Sequence, residues 1–524
     1  MKKDFIKKPK GNREITRMVI DGIIVGLISG FFSVLYRYII TKTNTIRDYI
    51  FSFTDIPHIA LWVVLFFAMA LIIGQLLKWA PLSGGSGIPQ IRAEVLERTD
   101  MNETRTLIAK FIGGSFGNIA GLSLGREGPS IQIGGAVAKK LAKILKRDEI
   151  ETKFMITAGS SAGLAAAFNA PLAGALFSLE EIHKSFSRYV MVPCIISSVI
   201  ANYISFLLLG ERSAFAFTAK DPLPIKYIYL AIILGILSGL IGVLFNVGLI
   251  GAQRAYKKTG LSQTKRLLLV MAIALFVGYF LYFATGGGHS LAEDIAGNLF
   301  PLKALILILV VKLIYTWISY GSGAQGGIFL PVLVIGGVTG AIFCKLIDPV
   351  VDVDAYYVNF IILGMAGILT AVVRAPIMSM LLVIEMTGTL THLISLTVVA
   401  IVAYYVAEAL NNPPVYESLF DGIMESLHIK QVSDDESFGI YDYMITKLTP
   451  CVDMTLEDAK FPHHLIVAAI ERDGVELVPG SQDRLLAGDK VTIIAKAKYH
   501  FDIDEYFKSE NSVIINDDPK ESRQ

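Results

Sequence analysis

Long apolar stretches with few charged positions occupy most of this chain. Residues 59–74 contain no charged side chain, and residues 18–40, 228–250, 267–284 and 357–373 are nearly as apolar. Because a helix needs roughly 20 apolar residues to cross a bilayer, the pattern predicts a polytopic helical membrane protein. Many stretches are shorter or interrupted by Gly and Pro. This is typical of transporters, since irregular backbone at membrane depth must be buried in protein or line a cavity.

A polar interval at residues 210–226 separates two apolar halves, which we place at about 18–205 and 227–425. The halves match each other at an offset of 205 residues. The matching positions are Ala170-Pro171 with Ala375-Pro376, Gly159 with Gly364, Leu176 with Leu381, and Glu180 with Glu385; Ile133-Gly134-Gly135 also recurs as Ile335-Gly336-Gly337. Chance similarity of two apolar segments is the alternative. A true repeat predicts a substrate site between the halves, near the bilayer midplane.

The last hundred residues change character and predict a small α+β domain at 439–510. Strand-like segments at 464–470 and 475–478 flank the turn sequence Arg472-Asp473-Gly474, and a further strand is expected at 490–495. A charged linker at 426–438 joins this domain to the apolar region. We expect the tail at 511–524 to be disordered.

Composition narrows the possible functions. The chain has 524 residues, of which 53% are hydrophobic and 18% charged, and its mean hydropathy is +0.57. The net charge of +1 does not favour nucleic-acid binding. Seven Lys and Arg residues in the tail at 1–17 predict a cytoplasmic N-terminus, and we expect both termini to be cytoplasmic. Three scattered cysteines form no metal or disulfide pattern, and no cofactor or cleavable signal peptide is expected.

Three glycine-rich motifs and one tyrosine carry the candidate chemistry. Gly-Arg-Glu-Gly-Pro at 125–129 places Glu127 between glycines, where an ionisable group in a membrane indicates a functional site. Gly-Ser-Gly-Ile-Pro at 85–89 and the motif at 323–331 also precede proline-containing helix starts. Helix N-termini carry partial positive charge and bind anions. The candidate donors are the hydroxyls of Ser86 and Tyr416 and the backbone amides of Ile328 and Phe329.

Two further motifs superficially indicate an enzyme. Residues 113–117 fit the nucleophile-elbow pattern of hydrolases, and residues 321–326 fit a dinucleotide-binding fingerprint. Both lie in apolar, glycine-rich sequence without the strand, turn and helix that those motifs require. We therefore expect no enzymatic activity.

The motifs, in this order, resemble those of the CLC chloride channels and chloride/proton antiporters. The resemblance implies an all-α polytopic membrane protein with an inverted repeat of tilted, broken helices, which forms a homodimer with one anion pathway per subunit. It assigns Ser86, Ile328, Phe329 and Tyr416 to chloride and Glu127 to the external gate. Glu181 aligns with the internal proton-transfer glutamate of antiporters, which channels generally lack. Exchange of chloride for protons across the cell membrane is therefore favoured over a passive channel.

The chemistry of Glu127 agrees with a gate. An ionised carboxylate resembles a halide in charge, so it can occupy an anion site, and protonation releases it; a bound anion nearby favours the protonated form. The alternative is a pairing with Arg126 at a helix start. Glu181 could likewise only end a helix near Lys184 and Arg188. The resemblance also implies that Ser86 favours chloride over fluoride, because fluoride-exporting relatives depart from the serine at this position. His183 is more simply a solvated or hydrogen-bonded residue than a proton relay.

The C-terminal segment resembles the TrkA-C (RCK-C) domain of potassium transport regulators. Some of these domains bind cyclic di-AMP at a dimer interface, which makes Arg472, Val478 and Pro479 candidate contacts for this or another nucleotide. A dimerisation module without a ligand is the alternative. A potassium-linked regulatory subunit is a third functional hypothesis, but the chain has no potassium-filter sequence.

Overall fold

The structure, a computed structural model, describes residues 12–210, 215, 217, 221–388, 390–427, 438–447, 449–459, 461, 465–472 and 475–508. The chain divides into two compact units, Met1–Ser426 and Leu427–Gln524. Most of the basic tail at 1–17 and of the linker at 426–438, the turn residues Asp473 and Gly474, and the tail at 511–524 lie outside the described residues.

The described residues of the first unit form helices joined by turns and loops. Its helices are α1 (Asn12–Phe51), α2 (Ile56–Trp79), α3 (Ile88–Val95), α4 (Glu103–Ile119), α5 (Glu127–Ile144), α6 (Glu149–Phe168), α7 (Pro171–Phe177), α8 (Arg188–Leu209), α9 (Ile228–Lys258), α10 (Gln263–Phe280), α11 (His289–Ala296), α12 (Leu302–Gly321), α13 (Phe329–Val351), α14 (Tyr357–Val373), α15 (Pro376–Thr387), α16 (Leu393–Ala409) and α17 (Val415–Ser426). Eight segments of the described chain are long and apolar enough to cross a membrane. The prediction of a polytopic helical protein with several short, broken helices is confirmed.

Burial distinguishes central from peripheral helices. In the spans that contain α13 and α14, 83% and 89% of the most apolar window is buried within the protein, against 22% in α2. Many large apolar side chains of α1, α2 and α9 are instead exposed. In a bilayer these faces contact lipid, so α13 and α14 form the centre of the unit and α2 lies at its edge.

The repeat seen in the sequence recurs in the packing of the two halves. An added Cβ at Gly134 would lie 2.0 Å from the Gly159 carbonyl oxygen, and one at Gly336 would lie 2.5 Å from that of Gly364. Equivalent glycines therefore bring α5 against α6 and α13 against α14, because only glycine permits such close backbone contact.

The two glutamates at matching positions cap each other's helices. The carboxylate of Glu385 in α15 accepts hydrogen bonds from the N–H groups of Leu172 (3.0 Å) and Ala173 (2.8 Å) at the start of α7. Glu180, beyond the end of α7, accepts one from Met378 N–H (3.3 Å) at the start of α15. Because these N–H groups have no partner within their own helix, the reciprocal caps stabilise the contact between the halves.

Replacing Glu385 by Ala should therefore lower stability. Two N–H groups of α7 lose a charged acceptor, which we expect to cost about 1–2 kcal/mol. Thermal unfolding in detergent measures this as a lower melting temperature. Glu180→Ala is the matched comparison and should have the smaller effect, since it removes one longer hydrogen bond; an equal or larger effect would contradict this account.

The second unit contains a four-stranded antiparallel sheet. The strands are β1 (Phe438–Met444), β2 (Leu465–Arg472), β3 (Val475–Leu477) and β4 (Lys490–Lys496), in the order β1-β4-β2-β3, followed by helix α18 (His500–Lys508). Ile470 pairs with Leu477 and with Val491. The predicted β2–β3 hairpin and the final strand are confirmed. The sequence analysis did not predict β1, whose residues it placed at the end of the linker and the start of the domain.

Candidate functional site

The three glycine-rich motifs meet in space. Gly85 donates its N–H to the Ala324 carbonyl (3.2 Å), and Gly326 donates to the Gly85 carbonyl (3.0 Å). Gly125 and Gly327 exchange two backbone hydrogen bonds of 2.7 Å each. Short bridges therefore bring the N-termini of α3, α5 and α13 together, which is the arrangement that favours an anion.

Glycine is required at this junction because backbones touch there. An added Cβ at Gly128 would lie 2.7 Å from the Ser86 carbonyl oxygen, and one at Gly327 would lie 3.0 Å from the Gly128 nitrogen. Gly87, which precedes α3, has a φ of 96°, a conformation that other residues rarely adopt. The motif glycines thus set the distances between the helix starts.

The four predicted anion contacts are all in the buried interior of the first unit. Ser86 is fully buried, and Ile328, Phe329 and Tyr416 are each about 1% exposed. Ile328 is the N-cap of α13, so the amides of Ile328 and Phe329 lie at the start of that helix, as predicted.

Aromatic packing fixes Tyr416 beside these residues. The ring of Phe177 contacts the rings of Phe329 (centroids 5.7 Å apart) and Tyr416 (6.3 Å). The Tyr416 hydroxyl is buried without a hydrogen-bond partner in the described part of the chain. A buried O–H is normally satisfied, so this donor is free to bind a ligand.

The sequence analysis missed two polar residues at the junction. Lys110 is fully buried in α4, and its Nζ donates to the Gly85 carbonyl (2.7 Å). The Tyr320 hydroxyl lies against Gly85 and Ser86. A lone lysine within an apolar helix was the available signal for Lys110, whereas Tyr320 has no distinguishing sequence feature.

Glu127 is completely buried, and neither carboxylate oxygen has a hydrogen-bond partner among the described residues. Arg126 Nε lies 3.9 Å from Oε1, an ion-pair distance that is too long for a hydrogen bond. The backbone N–H groups of Glu127 and Leu330 lie near the carboxylate at geometries outside hydrogen-bond limits. A simple pairing with Arg126 therefore leaves this carboxylate unsatisfied, and an unsatisfied buried charge is costly.

The position of that carboxylate explains Gly125. An added Cβ at Gly125 would lie 2.1 Å from Glu127 Oε2 and 3.3 Å from Leu330 Cβ. The side chain of Glu127 thus turns back over the motif, toward the start of α13. It occupies space between two helix N-termini, where a small anion would fit equally well.

Glu181 lies in a π-helical segment, Ser178–His183, and is 6% exposed. It lines a cavity of about 270 Å³. The other lining residues are Glu180, Lys184, Phe186, Val373, Arg374, Pro414 and Glu417. Lys184 and Glu417 are partly exposed, so the cavity lies near the protein surface. Pro414 and Glu417, which flank Tyr416 in the sequence, line the same cavity as Glu181.

The side chain of His183 contacts other residues of the protein. Its Nδ1 lies 3.2 Å from the Thr157 hydroxyl, and its ring packs on Phe154 with centroids 5.8 Å apart. These contacts favour the hydrogen-bonded interpretation over a proton relay.

In the second unit, the guanidinium of Arg472 is hydrogen-bonded within the domain. Its Nε and Nη2 each donate to the Asp489 carboxylate at 2.7 Å, and Nη2 also donates to the Arg484 carbonyl. Hydrogen bonds from Arg472 hold the pKa of Asp489 below its usual value, despite burial. Val478 is 91% exposed and Pro479 is half-buried. Val478 is therefore accessible to a ligand. Arg472 could contact a ligand through Nε or Nη2 only by giving up hydrogen bonds to Asp489.

Both units of the chain match known protein families. Residues 69–408 match the family model of the voltage gated chloride channel, and residues 440–499 match that of the TrkA-C domain. The H(+)/Cl(-) exchange transporter ClcA of Vibrio parahaemolyticus is 32% identical over 79% of this chain and 91% of that protein. ClcA of Vibrio cholerae is 34% identical over 78% of this chain and 89% of its own length.

Solved structures give the same result. A crystal structure of a slow cyanobacterial Cl-/H+ antiporter has a TM-score of 0.72 and 28% identity, and it covers 80% of this chain and 100% of its own. A CLC-type fluoride/proton antiporter has a TM-score of 0.66 at 21% identity, over 78% of this chain and 99% of its own, and so supports the fold alone.

Proposed function

Since this chain belongs to the voltage-gated chloride channel (CLC) family and carries a C-terminal TrkA-C domain, we propose that it is a secondary active transporter that exchanges chloride for protons across the cell membrane. One observation carries the proposal. Two glutamates are buried in functional positions: Glu127 occupies space among helix N-termini that suit an anion, and Glu181 lines the cavity that Pro414 and Glu417 also border.

In this mechanism Glu127 and chloride compete for one place. Ionised Glu127 blocks the junction of α3, α5 and α13. Protonation removes its charge, so the side chain can leave and chloride can enter. Ser86, Ile328, Phe329 and Tyr416 then offer hydroxyl and amide donors instead of full positive charges, which bind an anion without trapping it.

Protons need a separate route, which this mechanism assigns to the cavity beside Glu181. Glu181 is buried but borders the 270 Å³ cavity, so it can exchange a proton with water there and pass it toward Glu127. A passive channel, the alternative, has no use for a buried acid at this position. The relatives named as H(+)/Cl(-) exchange transporters also favour exchange.

Assembly and regulation extend the proposal. We expect a homodimer with one pathway per subunit, with both termini in the cytoplasm, and a TrkA-C domain that adjusts transport in response to a nucleotide such as cyclic di-AMP. The exposed Val478 and its neighbour Pro479 would contact the nucleotide, with Arg472 contributing if its pairing with Asp489 rearranges.

Purified protein in liposomes tests the transport activity. A chloride gradient is imposed, and an external pH electrode follows protons. Chloride moving down its gradient should drive protons uphill, since a tenfold gradient supplies ~1.4 kcal/mol per ion. Chloride movement without any proton movement would establish the channel instead.

Calorimetry of the full chain in detergent tests the nucleotide. Cyclic di-AMP should release or absorb heat on binding, and Val478→Asp should weaken that binding while leaving chloride-driven proton flux intact. Absence of both heat and a thermal shift would leave only an assembly role for the domain.

A further inference from the structure

An ion pair joins the two helices next to the predicted anion contacts. Arg92 lies on α3, which follows Ser86, and Glu417 lies on α17 directly after Tyr416. Arg92 Nη1 donates to Glu417 Oε2 at 2.6 Å, and Nη2 donates to Oε1 at 3.0 Å. Two parallel hydrogen bonds of this kind fix orientation as well as distance.

Arg92 contacts α17 at a second point. Its guanidinium lies over the ring of Phe420, 4.8 Å from the centroid. Glu417 and Phe420 are three residues apart and so lie on the same face of the helix. Arg92 is only 8% exposed. Contact at both positions restrains sliding and rotation of α17 against α3.

Lys184 also pairs with the Glu417 carboxylate and so connects a third segment of the chain to α3 and α17. Its Nζ lies 2.9 Å from Glu417 Oε2, and Lys184 ends the π-helical segment that contains Glu181. Although burial acts in the opposite direction, hydrogen bonds from Arg92 and Lys184 lower the pKa of Glu417 to about 2. The carboxylate therefore stays ionised at neutral pH, and the connection persists.

Tyr416 is the residue that this connection positions. It is adjacent to Glu417 in sequence, and its ring contacts that of Phe177, which also contacts Phe329 at the start of α13. Any movement of α17 away from α3 would carry Tyr416 away from Ser86. Because Pro414 and Glu417 line the same cavity as Glu181, that movement would open the junction toward this cavity.

We propose that the Arg92–Glu417 ion pair is a positioning device that holds Tyr416 at the junction and so keeps the anion pathway closed toward the cavity beside Glu181. The inference rests on the proposed function. Neither side chain is assigned to contact chloride; both act through Tyr416. Exchange requires such closure, because a pathway open at both ends would let chloride pass without protons.

Chloride turnover in the Glu181→Gln background tests the ion pair. That background removes proton transfer through Glu181, so altered proton affinity of Glu181 cannot explain a change. Glu417→Gln should raise chloride turnover about tenfold, which corresponds to ~1.4 kcal/mol in the barrier. In the otherwise native chain, the same substitution should increase the number of chloride ions moved per proton.

The chain offers a matched control on the same helix. Lys257 and Glu425 form an exposed pair at 3.5 Å, so Glu425→Gln makes the same chemical change on α17 without touching α3. It should leave turnover unchanged. The double variant Arg92→Gln with Glu417→Gln should resemble each single variant, because residues that act as one unit give non-additive effects. Thermal unfolding confirms that each variant is folded.

The outcomes separate cleanly. Unchanged chloride turnover in folded Glu417→Gln, an equal rise in Glu425→Gln, or effects that multiply in the double variant would each overturn the proposal. If Glu417→Gln does not fold, Arg92→Lys replaces it, since this change keeps the charge but loses the bidentate geometry and should give a smaller rise. A native chain that moves chloride without protons would refute the antiporter, yet the ion pair would still be judged by chloride turnover.

Discussion

Glu127→Ala should abolish chloride-driven proton movement while chloride still flows. The methyl group can neither carry a proton nor occupy the space above Gly125 that the carboxylate fills. The N-termini of α3, α5 and α13 remain, so the anion site keeps its partial positive charge. We expect proton flux to fall to the level of protein-free liposomes, with chloride turnover within about tenfold of the native chain, or ~1.4 kcal/mol in the barrier.

Glu127→Gln is the matched variant for this prediction. Glutamine keeps the size of the side chain and resembles the protonated acid, so it should also lose proton movement. Isothermal titration with chloride should show at least equal affinity in both variants, because the competing negative charge is gone. If proton coupling survives in either variant, Glu127 is not part of the mechanism. Its role would then be the alternative one, a structural pairing with Arg126.

The contacts of the three motifs explain why so much of the site could be predicted. Gly85 has a positive φ, an added Cβ at Gly125 would meet the Glu127 carboxylate, and one at Gly327 would meet the Gly128 backbone, so each position requires glycine. The prolines mark helix starts. Such constraints are local and so leave a trace in the sequence. The repeat also left a trace, because the close crossing at Gly134 and Gly159 recurs at Gly336 and Gly364.

Contacts between residues far apart in the sequence could not be predicted from it. Arg92 and Glu417 are 325 positions apart, and each alone looks like an ordinary charge near a membrane edge. Strand β1 was missed for a related reason. Its partner β4 lies about fifty residues later, and the sheet buries only one face of a short, partly polar segment. Pairing partners far apart in the sequence cannot be recognised from local pattern alone.

Glu181→Gln should also abolish proton movement, but by blocking proton entry from the cavity beside residue 181. Glutamine fits the buried position beside the 270 Å³ cavity and cannot take a proton from water there. Glu127 remains, so the external gate still opens and closes with protonation. The expected result in liposomes is chloride flux that retains its dependence on external pH, together with proton flux at background.

Glu181→His distinguishes proton transfer from packing at this position. Histidine is larger than glutamine but titrates near neutral pH, so it should restore part of the proton movement if Glu181 serves as a proton carrier. If Glu181 only ends a helix near Lys184, glutamine should be tolerated fully and histidine should be the more disruptive change. Full proton coupling in Glu181→Gln would therefore indicate that protons reach Glu127 by another route, and the π-helical segment would need a structural explanation.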